Sequence, residues 1–215
     1  MAKLLNDNMK NKLLFKLVRL PIPWKLRIMI SKFLSFIKFS KKRKTLKSKF
    51  NNDDVKLIYE NLIHKGYFIY ENFLNADNIK SIKEKLKKLK LNNPWNNNKF
   101  DFYWNSPPKN THVGYYNKSE ILNLKEVNDI MYHPLICNVV SKYLGQNFQC
   151  TNVASWWTFG NNDSAEEAEF FHRDLDNISW LKVFIYLTDT DKSSGAHAFV
   201  PGSHRINKYL TFGRY

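Results

Sequence analysis

Cysteine and glycine are scarce in this chain of 215 residues, which contains 2 cysteines and 7 glycines. Cys137 and Cys150 have the spacing of neither a metal site nor a redox pair, so they are expected to be buried thiols in a reducing compartment or surface residues without a role. The sequence also has no glycine-rich phosphate loop and no recognisable Ser-His-Asp arrangement. No stretch approaches the ~18 charge-free apolar residues that a membrane-spanning helix requires.

Acidic residues are almost missing from the first 50 positions. Residues 1–50 hold 15 Lys and Arg against one acid, Asp7, a net charge of +14, out of +15 for the whole chain. Residues 51–215 hold 19 basic and 18 acidic residues, a net charge of +1. The basic character therefore belongs to an N-terminal extension, residues 1–50, on a nearly neutral domain, residues 51–215. This distribution argues against a globular nucleic-acid binder, and no nucleic acid is expected as a partner.

The extension contains two apolar and basic pieces, residues 8–20 and 24–39, separated by Pro21 and Pro23. The prolines should end a first helix and allow a second to begin near Trp24. Large apolar residues recur at helical spacing in the second piece, with lysine and arginine between them: Leu26, Met29, Ile30, Phe33, Leu34 and Ile37. Such a helix either packs on the domain with its lysines in water or lies on an anionic membrane surface. Because lysines interrupt the apolar start, no secretory signal is predicted, and we expect a cytoplasmic protein that is peripheral at a membrane in the second case.

The domain begins with predicted helices and continues with predicted strands. Residues 40–52 indicate a polar linker, and residues 92–98 and 101–120 indicate irregular segments. Helices are predicted from Asn52 or Asp53 to His64, from Asn75 to Lys90 and from His133 to Leu144, with Gly66 and Gly145 as stops. Strands are predicted within 67–70, 148–159, 169–174, 180–188 and 196–200.

The tetrapeptide Phe171-His172-Arg173-Asp174 carries the strongest chemical signal. On a strand, side chains two residues apart point the same way, so His172 and Asp174 would face one cavity. A histidine and a carboxylate supply two corners of the facial triad that holds non-haem Fe(II), and its open positions take a bidentate oxoacid and O2. The simpler interpretation is a surface histidine beside an acid, and Asp176 is an alternative carboxylate. The nearby Glu169 is expected in a solvated acidic turn, with an approach of this loop to the metal entrance as the alternative. His112 is expected to be structural or on the surface.

The order of motifs around this tetrapeptide resembles the phytanoyl-CoA dioxygenase family. The segment from Gly66 to Leu74, the His172-Arg-Asp174 motif, the apolar run from Trp180 to Asp189, and Val200-Pro-Gly-Ser-His204 follow the family's order. The resemblance implies an α+β protein with a double-stranded β-helix, or jelly-roll, core preceded by helices. It also implies an Fe(II)- and 2-oxoglutarate-dependent dioxygenase that uses O2 to hydroxylate a small organic or acyl substrate. In this family pattern His172 and Asp174 match the first two iron ligands, and Tyr186 falls near a position that borders the 2-oxoglutarate site.

The chain departs from the family at its C-terminal end. The family's third iron ligand, a histidine, and an arginine that pairs with the distal carboxylate of 2-oxoglutarate match nothing after His204. About four predicted strands follow Gly145, roughly half of what a closed jelly roll requires. We therefore expect an incomplete barrel with weak or no turnover, either a truncated product or one completed by a second chain. His197 and His204 are expected to form hydrogen bonds around the turn.

A different class of function is also open at this point. The jelly-roll remnant would then be a non-catalytic binding module, and the basic N-terminus would dock it on a membrane or an acidic partner. The identity of the substrate is not encoded in any motif of the sequence.

Overall fold

The structure is a computed structural model that describes residues 22–38, 52–94, 100–145, 148–160, 165, 169–172, 174, 177–192 and 194–205. The helix predicted over 8–20, nearly all of the linker predicted over 40–52, and Asp176 lie outside the described residues. Helices are α1 Trp24–Lys38, α2 Asn52–His64, α3 Ala76–Leu86, α4 Lys118–Leu122, α5 Lys125–Met131 and α6 Pro134–Leu144. Strands are β1 Leu91–Asn92, β2 Val113–Tyr116 and β3 Trp156–Thr158, and a short 3-10 turn covers Ser203–Arg205.

Helix α2 confirms the prediction made from its apolar spacing. Val55, Ile58 and Leu62 are buried, as residues at i, i+3 and i+7 on one helix face should be. The helix is followed by Gly66, whose φ of +88° is a left-handed conformation that glycine adopts without steric cost. The buried face lies against Leu135 and Val139 of α6. Together these residues form one of the two hydrophobic clusters.

Helices α3 and α6 begin one residue after their predicted first residues, Asn75 and His133, which are the N-cap positions. The Asn75 side chain caps α3 by accepting a hydrogen bond from the Asn78 backbone N–H, and α3 ends at Leu86, four residues before its predicted end. Helix α6 begins with Pro134 at its first position, where the missing N–H costs nothing, and it ends before Gly145.

The sheet has the order β1-β2-β3 with antiparallel pairing throughout. Tyr115 of β2 is opposite Asn92 of β1 and Trp156 of β3. A Cβ atom on Gly114 would lie 2.8 Å from Cζ of Phe102, so glycine is required where this ring crosses the strand. The central strand falls in a segment predicted to be irregular, because four residues with a glycine among them give little alternation to detect.

A second hydrophobic cluster lies between this sheet and the helices around it. Its buried members are Ile82, Leu86, Leu91, Phe102, Tyr116 and Ile121. The Trp157 indole N–H donates to the Tyr116 hydroxyl, so the polar tips of both aromatic side chains are satisfied. At the edge of the cluster Glu126 accepts hydrogen bonds from Lys85 and Ser81, and these bonds, the Lys85 bond first, lower the pKa of Glu126 to about 2.

The fold is thus α+β, as predicted, with a small antiparallel sheet, but a jelly roll is not seen in the described part of the chain. The strands predicted over 67–70, 180–188 and 196–200 are not formed, and the described residues of 169–174 are not a strand either. These predictions came from β-branched and aromatic composition. Composition favours a strand only where a neighbouring backbone supplies the ladder of hydrogen bonds.

Candidate metal site

His172 and Asp174 lie side by side, as predicted, although they do not belong to a strand. The Nε2 atom of His172 is 3.4 Å from Oδ1 of Asp174. The two side chains are 44% and 29% exposed, so an ion from solvent can reach both. The pair therefore offers one imidazole nitrogen and one carboxylate oxygen to the same small volume, which is the donor chemistry expected for Fe(II).

The orientation of the His172 ring is fixed by its other nitrogen. Nδ1 lies 2.7 Å from the backbone carbonyl oxygen of Phe170. A carbonyl only accepts hydrogen bonds, so this contact requires a proton on Nδ1, and in a neutral ring the lone pair then lies on Nε2. Histidines that bind metals commonly donate their second N–H to a carbonyl in this way. The free lone pair consequently lies on the side of the ring that faces Asp174.

Lys182, which lies eight positions after Asp174 in the sequence, also belongs to this local network. Its Nζ is 2.5 Å from Oδ2 of Asp174, the carboxylate oxygen that is not directed at His172. The same ammonium lies 5.3 Å from the centre of the Trp180 ring. Lys182 thus holds the carboxylate so that Oδ1 faces the histidine. Sequence reasoning missed this residue, because its position in an apolar run marked it as part of a strand.

A second anchor holds the segment that leads into His172. The buried His112 places Nδ1 3.0 Å from Oε2 of Glu169. Because His112 immediately precedes β2, this contact ties the approach to His172 to the central strand. The sequence predicts a solvated turn at Glu169, whereas the structure pairs its carboxylate with His112. The two residues are 57 positions apart, and no sequence motif indicates this contact.

The remaining predicted residues lie elsewhere in the structure. Tyr186 is half exposed, and its place beside a co-substrate stays a prediction. His197 lies against Phe184, with ring centres 4.6 Å apart. The described part of the chain contains no group of three or more His, Cys, Asp or Glu side chains arranged to hold a metal ion.

His204 contacts the end of helix α2. Its Nε2 lies 3.2 Å from the Ile63 carbonyl oxygen, and its ring meets Trp24 edge-on at 5.9 Å. The neighbouring Arg205 donates from Nε to the same carbonyl at 3.1 Å and from a terminal nitrogen at 2.8 Å, and also donates to the carbonyl of His64. The Pro-Gly-Ser-His turn is therefore a structural clamp on the C-terminal end of α2, whose last carbonyls have no partner within the helix.

Comparison with known proteins supports the family assignment. The model of the family described as phytanoyl-CoA dioxygenase (PhyH) matches residues 63–214. The match begins at the end of α2 and includes the His172–Asp174 pair, Lys182 and the clamp formed by His204 and Arg205. No curated protein and no solved structure matches the chain. With most of its length matched by this one model, the chain belongs to the phytanoyl-CoA dioxygenase family.

Proposed function

We propose that this protein is a non-haem Fe(II)- and 2-oxoglutarate-dependent dioxygenase that hydroxylates a small organic or acyl substrate. Family membership supports the general class, an oxygenase-type oxidoreductase. The family's cupin-like fold further leads us to propose that the sheet β1-β2-β3 is part of a double-stranded β-helix core. Its antiparallel order is compatible with that architecture.

The convergence of Nε2 of His172 and Oδ1 of Asp174 is the observation that carries the proposal. These two atoms would hold the iron, since one is a neutral imidazole nitrogen and the other a carboxylate oxygen. With Fe(II) bound, the reaction consumes O2 and 2-oxoglutarate and yields the hydroxylated substrate, succinate and CO2.

The protein's own residues prepare this site in three ways. The Phe170 carbonyl keeps the His172 proton on Nδ1, so that Nε2 is available as a donor. Lys182 orients the Asp174 carboxylate through Oδ2 and leaves Oδ1 toward the histidine. The partial exposure of both ligands leaves room for a co-substrate to approach the same volume.

Succinate formation from 2-oxoglutarate by the full chain tests the proposal. Because two iron ligands alone lead us to expect weak turnover, we expect slow release that requires both Fe(II) and 2-oxoglutarate and that His172→Ala abolishes. His197→Ala is the matched control, because it removes an exposed imidazole that contacts Phe184, and it should retain activity. Equal rates in the His172 and His197 variants would contradict the proposal. Metal binding without any succinate release would favour the non-catalytic binding module.

A further inference from the structure

The described side chains of helix α1 that contact the rest of the protein lie on one side of the helix. Trp24 meets the His204 ring at 5.9 Å and lies under the Arg205 guanidinium at 5.5 Å, and the helix also contacts α6. Trp24, Arg27 and Ile28, which lie on this side of the helix, are partly buried. The helix that precedes the family match is therefore held on the domain by aromatic and cation–π contacts at its N-terminal end.

The opposite side of α1 is apolar and exposed. Leu26, Met29 and Phe33 are 45%, 65% and 63% exposed. Their spacing of three and four residues places them in one stripe along the helix. A helix that packs on a domain with its charged residues in water turns its large apolar residues inward. Here Leu26, Met29 and Phe33 face outward, so the first of the two sequence interpretations accounts for the packing of α1 but not for this stripe.

The charge around the stripe indicates what covers it. Lys25 is exposed next to Leu26, and residues 1–50 carry 15 Lys and Arg against Asp7, whereas the rest of the chain is nearly neutral. An apolar helical face flanked by a strong positive charge is the arrangement that lies in the headgroup region of an anionic bilayer. An acidic protein partner would bind the basic residues, but it would not account for the exposed apolar stripe.

We propose that α1 binds the surface of an anionic membrane with Leu26, Met29 and Phe33 inserted at the boundary between headgroups and acyl chains. The helix would lie in the plane of the membrane, and no helix of the described residues is long and apolar enough to cross it. Because the contacts of Trp24 with His204 and Arg205 lie on the other side, α1 can bind without leaving the domain. This proposal does not depend on the chemistry at His172 and Asp174.

Co-sedimentation of the full chain with vesicles of phosphatidylcholine, with and without phosphatidylserine, tests the proposal. The unmodified protein should bind the anionic vesicles at least about tenfold more tightly than the neutral ones. The variant Leu26→Ser/Met29→Ser/Phe33→Ser should lose at least about tenfold in affinity for anionic vesicles, since even partial burial of three such side chains is sufficient for that factor.

A matched control removes exposed apolar surface elsewhere. Leu57→Ser/Ile69→Ser changes two residues that are 54% and 72% exposed outside α1, and its vesicle binding should equal that of the unmodified protein. Circular dichroism should show that each variant is folded, because every changed side chain is exposed. Unchanged binding by the triple variant would assign the attraction to the basic charge alone and overturn the proposal. Equal binding to neutral and anionic vesicles would overturn it as well.

Discussion

Replacement of Arg205 by methionine should destabilise the domain strongly for a single change near the end of the described chain. The guanidinium donates to the Ile63 carbonyl through two nitrogens, at 3.1 and 2.8 Å, and to the carbonyl of His64. It also lies 5.5 Å from the centre of the Trp24 ring. The hydrogen bonds to Ile63 and His64 join residues about 140 positions apart, and they supply donors to carbonyls at the end of α2 that the helix itself leaves without partners.

The size of the effect follows from these contacts. A hydrogen bond to a charged group contributes about 1.5–3 kcal/mol, and a cation–π contact at an exposed site contributes about 0.5–1 kcal/mol. Arg205 is only partly buried, and its bonds share one carbonyl, so their contributions do not add fully. We therefore expect the free energy of unfolding to fall by about 2–3 kcal/mol, a large fraction of the stability of an ordinary domain.

Urea unfolding followed by circular dichroism measures this loss. Arg205→Lys keeps the charge but not the planar fork of donors, so its free energy of unfolding should lie between those of the unmodified protein and Arg205→Met. Lys192→Met removes an exposed cation of the same chain and should change the stability by less than about 0.5 kcal/mol. If Arg205→Met were as stable as Lys192→Met, the clamp on α2 would not be an energetic feature of the fold.

Three further changes test other parts of the account. Lys182→Met should weaken Mn(II) binding about tenfold, because a residue that orients a metal ligand typically contributes at least that factor to the affinity. Calorimetry measures the affinity, and a gain would show that the lysine competes with the metal. Because hydrogen bonds, above all the one from Lys85, lower the pKa of Glu126 from 4.5 to about 2, Glu126 stabilises the fold above pH 4.5 and loses that contribution as the pH falls to 2. Glu126→Gln should therefore flatten the loss of thermal stability across this range, and an unchanged pH profile would argue against the bond. Gly66→Ala should lower the melting temperature by several degrees, since φ is +88° and the new Cβ would lie 2.4 Å from a histidine ring, whereas Gly160→Ala, with open space around it, should not.

The parts of the fold that could be predicted from sequence are those fixed by local pattern. The extents of α2 and α6 followed from apolar spacing and from glycines with positive φ, Gly66 and Gly145. The proximity of His172 and Asp174 could also be predicted from local sequence. Residues two positions apart lie on one side of an extended backbone whether or not a neighbouring strand is present.

The parts that sequence reasoning missed depend on distant neighbours. Strand β2 exists because Val113 and Tyr115 pair with residues about 40 positions later in the sequence. A pattern of only four residues is too short to predict that pairing. The opposite error occurred over 180–188, where β-branched and aromatic residues predicted a strand that lacks a partner in the described part of the chain. Lys182 and Arg205 act through contacts that only the folded chain creates.

We propose that Nε2 of His172 and Oδ1 of Asp174 hold a divalent metal ion. Titration of the full chain with Mn(II), followed by electron paramagnetic resonance, tests this claim without requiring turnover. The unmodified protein should bind the ion, His172→Ala and the isosteric Asp174→Asn should each bind it on the order of 100-fold more weakly, and His197→Ala should bind it unchanged. Equal Mn(II) affinity in all four proteins would contradict the account.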